Sequence, residues 1–95
     1  MQPDLTRLGG LTPLLKVAAL AEANHRPLAL HLMPEVAVHL ACGLSNVLSV
    51  EYMPWLCPAF VETPAIVNGR MVPPKRPGLG LEIRTEGLEK YRVEV

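Results

Sequence analysis

The sequence predicts an α/β fold on a parallel sheet, and it predicts that this chain is one part of a larger structure. Short apolar runs alternate with helical patterns in the order strand stub, helix, strand, helix, strand, with short joints. Ten prolines in 95 residues, about twice average usage, fall at these joints. A complete (β/α)₈ barrel takes ~250 residues, so the chain is less than half of one.

Composition narrows the classes of partner. The chain is 49% hydrophobic and 19% charged, with nine basic and nine acidic residues, which is typical of a folded soluble domain. Zero formal charge argues against a nucleic-acid or membrane partner. Two cysteines outside any C-x-x-C motif, with no signal-peptide pattern at the start, favour the cytoplasm.

The first half of the chain supplies a helix and a strand. Gly9-Gly10 predicts a turn, Thr12 a helix N-cap and Pro13 the first helical position. Apolar residues then recur at helical spacing over 14–23. The run Leu28–Leu30 has the length and flanks of a buried strand.

A second helix and strand follow the same plan. Pro34 begins a helix that we expect to run to about Cys42, where Gly43 and a polar turn end it. Residues 47–52 predict a second strand, and residues 1–4 resemble the end of an earlier one. Because the intervening segments are helical crossovers, the three strands should lie parallel.

Beyond residue 58 the pattern changes. The Asn68-Gly69 dipeptide, with an apolar run on each side, predicts a β-hairpin. A short last helix is expected from Thr85. We therefore divide the chain into residues 1–58, a partial (β/α) segment, and residues 59–95, a tail with a hairpin and a short helix.

Three polar residues stand at the carboxyl ends of the predicted parallel strands. These are Asp4, His31 and Glu51, and ligands of α/β folds bind at this edge. Taken singly, each has a structural interpretation: a turn cap, a hydrogen-bonded histidine and a solvated carboxylate. A polar residue at the same end of all three strands instead predicts a shared site. We expect all three side chains to face one cavity, with Asp4 hydrogen-bonded to His31.

The same residues carry a family resemblance. The run from Asp4 to Thr12, then His31 and Glu51, separated by 27 and 20 positions, resembles the last part of an enolase-superfamily barrel. The closest subgroup is the mandelate racemase and muconate-lactonizing enzyme family, which includes acid-sugar dehydratases. The tail around Asn68-Gly69 is also similar to that family. The resemblance implies the C-terminal part of a (β/α)-barrel, about strands 6–8 with their helices.

The resemblance also implies roles for the three residues. His31 would be the acid or base that moves a proton beside a substrate carboxylate, since an imidazole exchanges protons near neutrality. Asp4 would orient the ring and support the imidazolium. Glu51, together with His31, would contact substrate and would stabilise charge that builds on its carboxylate.

Several parts of such an enzyme are expected upstream of this segment. The family uses Mg²⁺, whose carboxylate ligands, like a second base (a lysine), lie on earlier strands. We expect no metal ligand in this chain, and Lys16, Lys75 and Lys90 are badly placed to replace that base. The 95 residues alone should be inactive and should self-associate, whereas the parent enzyme should be a homo-oligomer.

The implied activity is dehydration of an acid sugar, an aldonate or aldarate, by α-proton abstraction. Racemisation or epimerisation of a 2-hydroxy acid would use the same residues and stays open. A third possibility is an inactive truncated fragment that acts only as an association module.

Two other groups of residues carry weaker alternatives. His31, Glu35 and His39 have helix-like spacing for a metal site, but Pro34 separates the first from the helix. We expect His39 to face a neighbouring segment instead. Cys42 and Cys57 are expected to be small buried hydrophobes.

Overall fold

The computed structural model describes residues 1–94 and contains helices, two small sheets and two 3₁₀ turns. The helices and strands, in chain order, are α1 (Leu11–Ala23), β1 (Leu28–Leu30), α2 (Pro34–Gly43), β2 (Val47–Val50), β3 (Ala65–Val67), β4 (Arg70–Val72) and α3 (Thr85–Leu88). The 3₁₀ turns are Cys57–Ala59 and Glu89–Tyr91. No helix in this described part is long and apolar enough to cross a membrane.

The strands of the first half are parallel, as predicted. β1 pairs with β2, and Leu30 lies opposite Val50. The N-terminal residues run along the other side of β1, where the amide of His31 donates to the carbonyl of Pro3 at 3.0 Å. Asp4 and His31 form a parallel bridge at the end of this segment. The stub of an earlier strand is therefore paired as the sequence indicated.

The start of α1 differs from the prediction. The N-cap is Gly10, without a side-chain cap, and Thr12 lies inside the helix, so its assignment as N-cap was wrong. The preceding turn explains the earlier start. Gly9 and Gly10 have φ values of 88° and 119°, and the Gly10 amide donates to the carbonyl of Leu5 at 2.9 Å. Only glycine adopts such angles without strain, so the helix begins directly after the pair.

The end of α1 is a Schellman turn. The Arg26 amide donates to the carbonyl of Ala21 at 2.8 Å, and the His25 amide donates to the carbonyl of Glu22 at 2.9 Å. His25 occupies the left-handed position of this turn, with φ 52°. A histidine therefore holds a conformation that usually favours glycine.

The core lies between the two longer helices and β1. It contains Leu14, Ala18 and Ala21 from α1, the ends of β1, and Val36 and Ala37 from α2, with Leu5 closing one end. β2 contributes less, because Leu48 is 78% exposed on its outer side. Burial of the helix faces against β1 therefore fixes the strand on which the polar site is built.

Two smaller differences concern β2 and the cysteines. β2 ends at Val50, two residues before the predicted end, so Glu51 follows the strand directly. Cys42 is exposed and Cys57 is half-buried, so the expectation of a buried Cys42 was wrong. Cys42 lies on the last turn of α2 and takes no part in the core cluster, although Leu40 and Leu44 on either side of it pack against that cluster.

The tail has the predicted hairpin. β3 and β4 are antiparallel around Asn68 and Gly69, whose φ values of 50° and 73° suit a two-residue hairpin turn. Phe60 forms an antiparallel bridge with Ile83, which returns the chain toward residue 59. The division at residue 58 stays a prediction.

Candidate functional site

The backbone after β1 is strained where the site begins. His31 follows β1, and Leu32 and Met33 then have φ values of 55° and 48°. Two consecutive large residues in the left-handed region are uncommon, and such strain concentrates at functional sites. The turn reverses the chain into α2, whose N-cap is Met33.

Asp4 uses its two carboxylate oxygens for different purposes. Oδ1 accepts hydrogen bonds from the Thr6 amide at 2.8 Å, the Thr6 hydroxyl at 2.6 Å and the Arg7 amide at 3.0 Å. Oδ2 lies 2.7 Å from Nδ1 of His31. The interpretation of Asp4 as a turn cap and the predicted hydrogen bond to His31 therefore hold at once.

Hydrogen bonding holds the pKa of the Asp4 carboxyl well below its usual range. The Thr6 hydroxyl has the largest effect on this pKa, followed by the Arg7 amide and His31. The guanidinium of Arg7 adds an exposed contact, with Nε 3.6 Å from Oδ2. When Asp4 is ionised, the short contact requires a proton on Nδ1 of His31, which leaves Nε2 as the basic nitrogen of a neutral ring.

The Glu51 carboxyl group lies beside the other nitrogen of the same imidazole ring. Its Oε2 accepts a hydrogen bond from the Leu32 amide at 3.2 Å and lies 3.5 Å from Nε2 of His31. That second distance is longer than a hydrogen bond. His31, with 27% of its side chain exposed, therefore lies between two carboxyl groups.

A cleft of about 350 Å³ opens beside the Asp4–His31 pair. The residues that line it are Gln2, Asp4, Arg7, Leu8 and His31. Glu51 does not line this cleft, because it lies on the Nε2 side of the ring, opposite Asp4. The expectation that all three residues face one cavity stays a prediction.

Sequence reasoning missed Thr6 and Arg7. The signal was present as Asp4 followed two residues later by Thr6, a pattern typical of an Asx turn. In that turn a carboxylate accepts bonds from the residues two and three positions later, as Asp4 does. The turn therefore fixes the carboxylate before it meets the imidazole.

The alternative metal site on α2 is not formed. The Cys57 thiol donates to Oε1 of buried Glu35 at 3.4 Å, and burial is the main cause that raises the thiol pKa. Nε2 of His39 donates to the carbonyl of Leu79 at 3.0 Å, so this residue faces the tail as predicted. Within residues 1–94, no group of three histidine, cysteine or carboxylate side chains converges to hold an ion.

Similar proteins share this arrangement of strands and helices. Residues 1–87 match the family described as enolase C-terminal domain-like. The chain is 39% identical over 83 residues to an L-talarate/galactarate dehydratase of Salmonella typhimurium, covering 87% of this chain and 21% of that protein. The chain thus spans about a quarter or less of such relatives.

Two solved structures are also similar. The L-talarate dehydratase from Polaromonas sp. JS666, complexed with Mg and L-glucarate, is 45% identical with a TM-score of 0.83, over 90% of this chain and 24% of that one. An enolase from Bradyrhizobium, complexed with magnesium and mandelic acid, is 30% identical with a TM-score of 0.86, over 98% and 26%.

Proposed function

This chain belongs to the enolase C-terminal domain-like family, and we propose that it is the C-terminal part of an acid-sugar dehydratase with His31 as a general acid–base. The observation that carries the proposal is the 2.7 Å contact between Asp4 Oδ2 and His31 Nδ1. It sets the tautomer of the ring and leaves Nε2 free for proton transfer. Dehydratases among the similar proteins support the choice of reaction.

Nε2 of neutral His31 takes the proton from the carbon next to the substrate carboxylate, and the electron pair of that C–H bond forms an enediolate. Nε2 then returns this proton to the β-hydroxyl while the enediolate electrons break the C–O bond, so the hydroxyl leaves as water. The resulting enol becomes a 2-keto-3-deoxy acid by proton exchange with solvent. The ionised Asp4 stabilises the imidazolium before that transfer and holds the ring in place after it.

Glu51 completes the proposal as the substrate-binding carboxyl group. In its protonated form it donates a hydrogen bond to the substrate carboxylate, where charge builds as the α-proton leaves. The Leu32 amide, 3.2 Å from Oε2, fixes the direction of the group. The strained turn after β1 therefore orients Glu51.

Magnesium is bound in the similar structures, and the residues of this chain do not fit a magnesium site. Asp4 is already engaged by the turn and by His31, and no triad of candidate ligands converges among residues 1–94. Hard cations need several convergent oxygens, so none of the steps above is routed through the metal.

The test is turnover of aldarates and aldonates by the protein that carries this chain, with product formation followed by NMR. His31→Asn should abolish formation of the keto acid while substrate still binds. The matched control is His25→Asn, because His25 is an exposed histidine at the opposite end of β1. Equal activity of the two variants would contradict the role of His31.

Racemisation of a 2-hydroxy acid is the second candidate, and the complex of a similar enolase with mandelic acid favours it. The same NMR experiment in D₂O separates the two reactions. A racemase exchanges the α-proton for deuterium and keeps the hydroxyl group, whereas a dehydratase loses the hydroxyl as water.

A further inference from the structure

Glu35 is a buried carboxylate without an evident role in the reaction. It lies on the first turn of α2 and is only 1% exposed. Its Oε1 accepts the thiol of Cys57, whereas Oε2 has no hydrogen-bond partner among residues 1–94. A buried carboxylate oxygen left unpaired is costly, so a group that satisfies it is expected.

A small pocket next to Glu35 shows what size that group has. The pocket measures about 70 Å³. Its lining includes Thr6, Leu32 and Met53, which follow the N-terminal stub, β1 and β2 in turn. A water molecule needs only ~10–15 Å³ of such space, so the pocket has room for water. Glu35 is only 1% exposed within this chain, and water is the smallest polar group that can reach Oε2.

We propose that a water molecule binds in this pocket and donates one hydrogen bond to Oε2 of Glu35 and the other to Oγ1 of Thr6. The Thr6 hydroxyl donates its hydrogen bond to Oδ1 of Asp4 at 2.6 Å, and its oxygen can still accept a hydrogen bond from water. The result is a continuous chain: Glu35, water, Thr6, Asp4, His31.

This series of hydrogen bonds makes Glu35 and Thr6 positioning residues for the Asp4–His31 pair. A water that donates to the Thr6 oxygen strengthens the bond that Thr6 donates to Asp4, because linked hydrogen bonds polarise one another. The network would thereby connect the first turn of α2 to Nδ1 of His31. Its catalytic meaning depends on the proposed function, but its existence does not.

The direct test is a high-resolution crystal structure of the protein that carries this chain. Density for a water within hydrogen-bond distance of both Glu35 Oε2 and Thr6 Oγ1 is expected, retained in Thr6→Ser and lost in Thr6→Val. An empty pocket, or a Glu35 Oε2 bonded to another protein atom, would overturn the proposal. This result is independent of any activity assay.

The second test is the titration of the His31 ring, followed by NMR on the unliganded protein. Thr6→Val and Glu35→Met should each move the titration of His31 in the same direction, because the first removes and the second weakens the bond that Thr6 donates to Asp4. In the double variant, Glu35→Met should cause no further shift of the His31 titration, because both changes interrupt the same series of hydrogen bonds. Additive shifts would refute the shared water.

The matched control for this titration is Glu22→Gln. Glu22 also accepts a side-chain hydrogen bond, but its partner Ser45 precedes β2, so the pair lies at the opposite end of the strands. The His31 titration should be unchanged in this variant. A shift equal to that of Glu35→Met would show a general charge effect and would overturn the proposal.

Discussion

Replacing Asp4 with asparagine separates its two uses. Asn Oδ1 can still accept the three bonds of the turn, from the Thr6 amide and hydroxyl and from the Arg7 amide. The amide nitrogen, however, takes the place of Oδ2 opposite Nδ1 of His31. Since both groups there would be donors, the ring proton must move to Nε2.

The expected result is an intact fold with a large loss of turnover. An analogous carboxylate-to-amide change beside a catalytic histidine lowers kcat by roughly 10⁴-fold through the wrong tautomer, and we expect roughly 10³–10⁴-fold for Asp4→Asn. KM should change much less, because Asp4 is not placed on the substrate. The assay is steady-state dehydration, with ¹⁵N NMR of the imidazole to identify the tautomer.

Asp4→Ala is the matched control. Alanine no longer fixes the tautomer of the His31 ring, and it also leaves the Thr6 and Arg7 donors of the turn without their acceptor. Asp4→Ala should therefore unfold at a lower urea concentration than Asp4→Asn. An Asp4→Asn enzyme with turnover within about tenfold of the unchanged protein would refute the reasoning. A neutral imidazole that keeps its proton on Nδ1 in Asp4→Asn would refute it as well.

Three further predictions concern stability. Replacing His25 by glycine at its left-handed position should stabilise the protein by about 0.5–1 kcal/mol in urea unfolding, whereas His25→Ala should show no gain. The stability difference between the unchanged protein and Asp4→Asn should be full above about pH 5 and shrink progressively below about pH 4, because folding lowers the pKa of Asp4; a difference at pH 2 as large as that above pH 5 would contradict it. Gly80→Ala should destabilise the protein by about 1 kcal/mol or more beyond Gly78→Ala, since a Cβ at Gly80 would lie 2.5 Å from Pro74 Cβ while Gly78 faces open space; equal losses in thermal unfolding would argue against the clash.

Local signals predicted most of the elements. The run Leu28–Leu30, the start of α2 at Pro34 and the turn at Asn68-Gly69 all match the structure, because each depends on neighbouring residues. The start of α1 does not match, since the preceding turn is closed by a bond from Gly10 to Leu5 that no helix propensity describes. Short-range backbone closure outweighed the capping preference of Thr12.

The candidate site was predictable at the level of strand ends and less so at the level of side chains. The parallel order of strands brings Asp4 next to His31, and the sequence carries that order. The side of the ring that Glu51 approaches depends on the Leu32 amide, which faces it only because of the left-handed turn. The burial of Cys42 was misjudged and that of Glu35 was not predicted, because tertiary neighbours and not residue type decide burial.

The sequence distances between the three site residues affect how the molecule folds. Asp4 and His31 are 27 positions apart, with α1 between them, and Glu51 is 20 positions further, beyond α2. Contacts of this separation form only after the intervening chain has been ordered, and they slow folding more than helical contacts do. The imidazole environment of His31 should therefore mature among the last events of refolding, after the α-helical circular dichroism signal has recovered. A stopped-flow experiment can thus use the histidine as a kinetic probe of native topology.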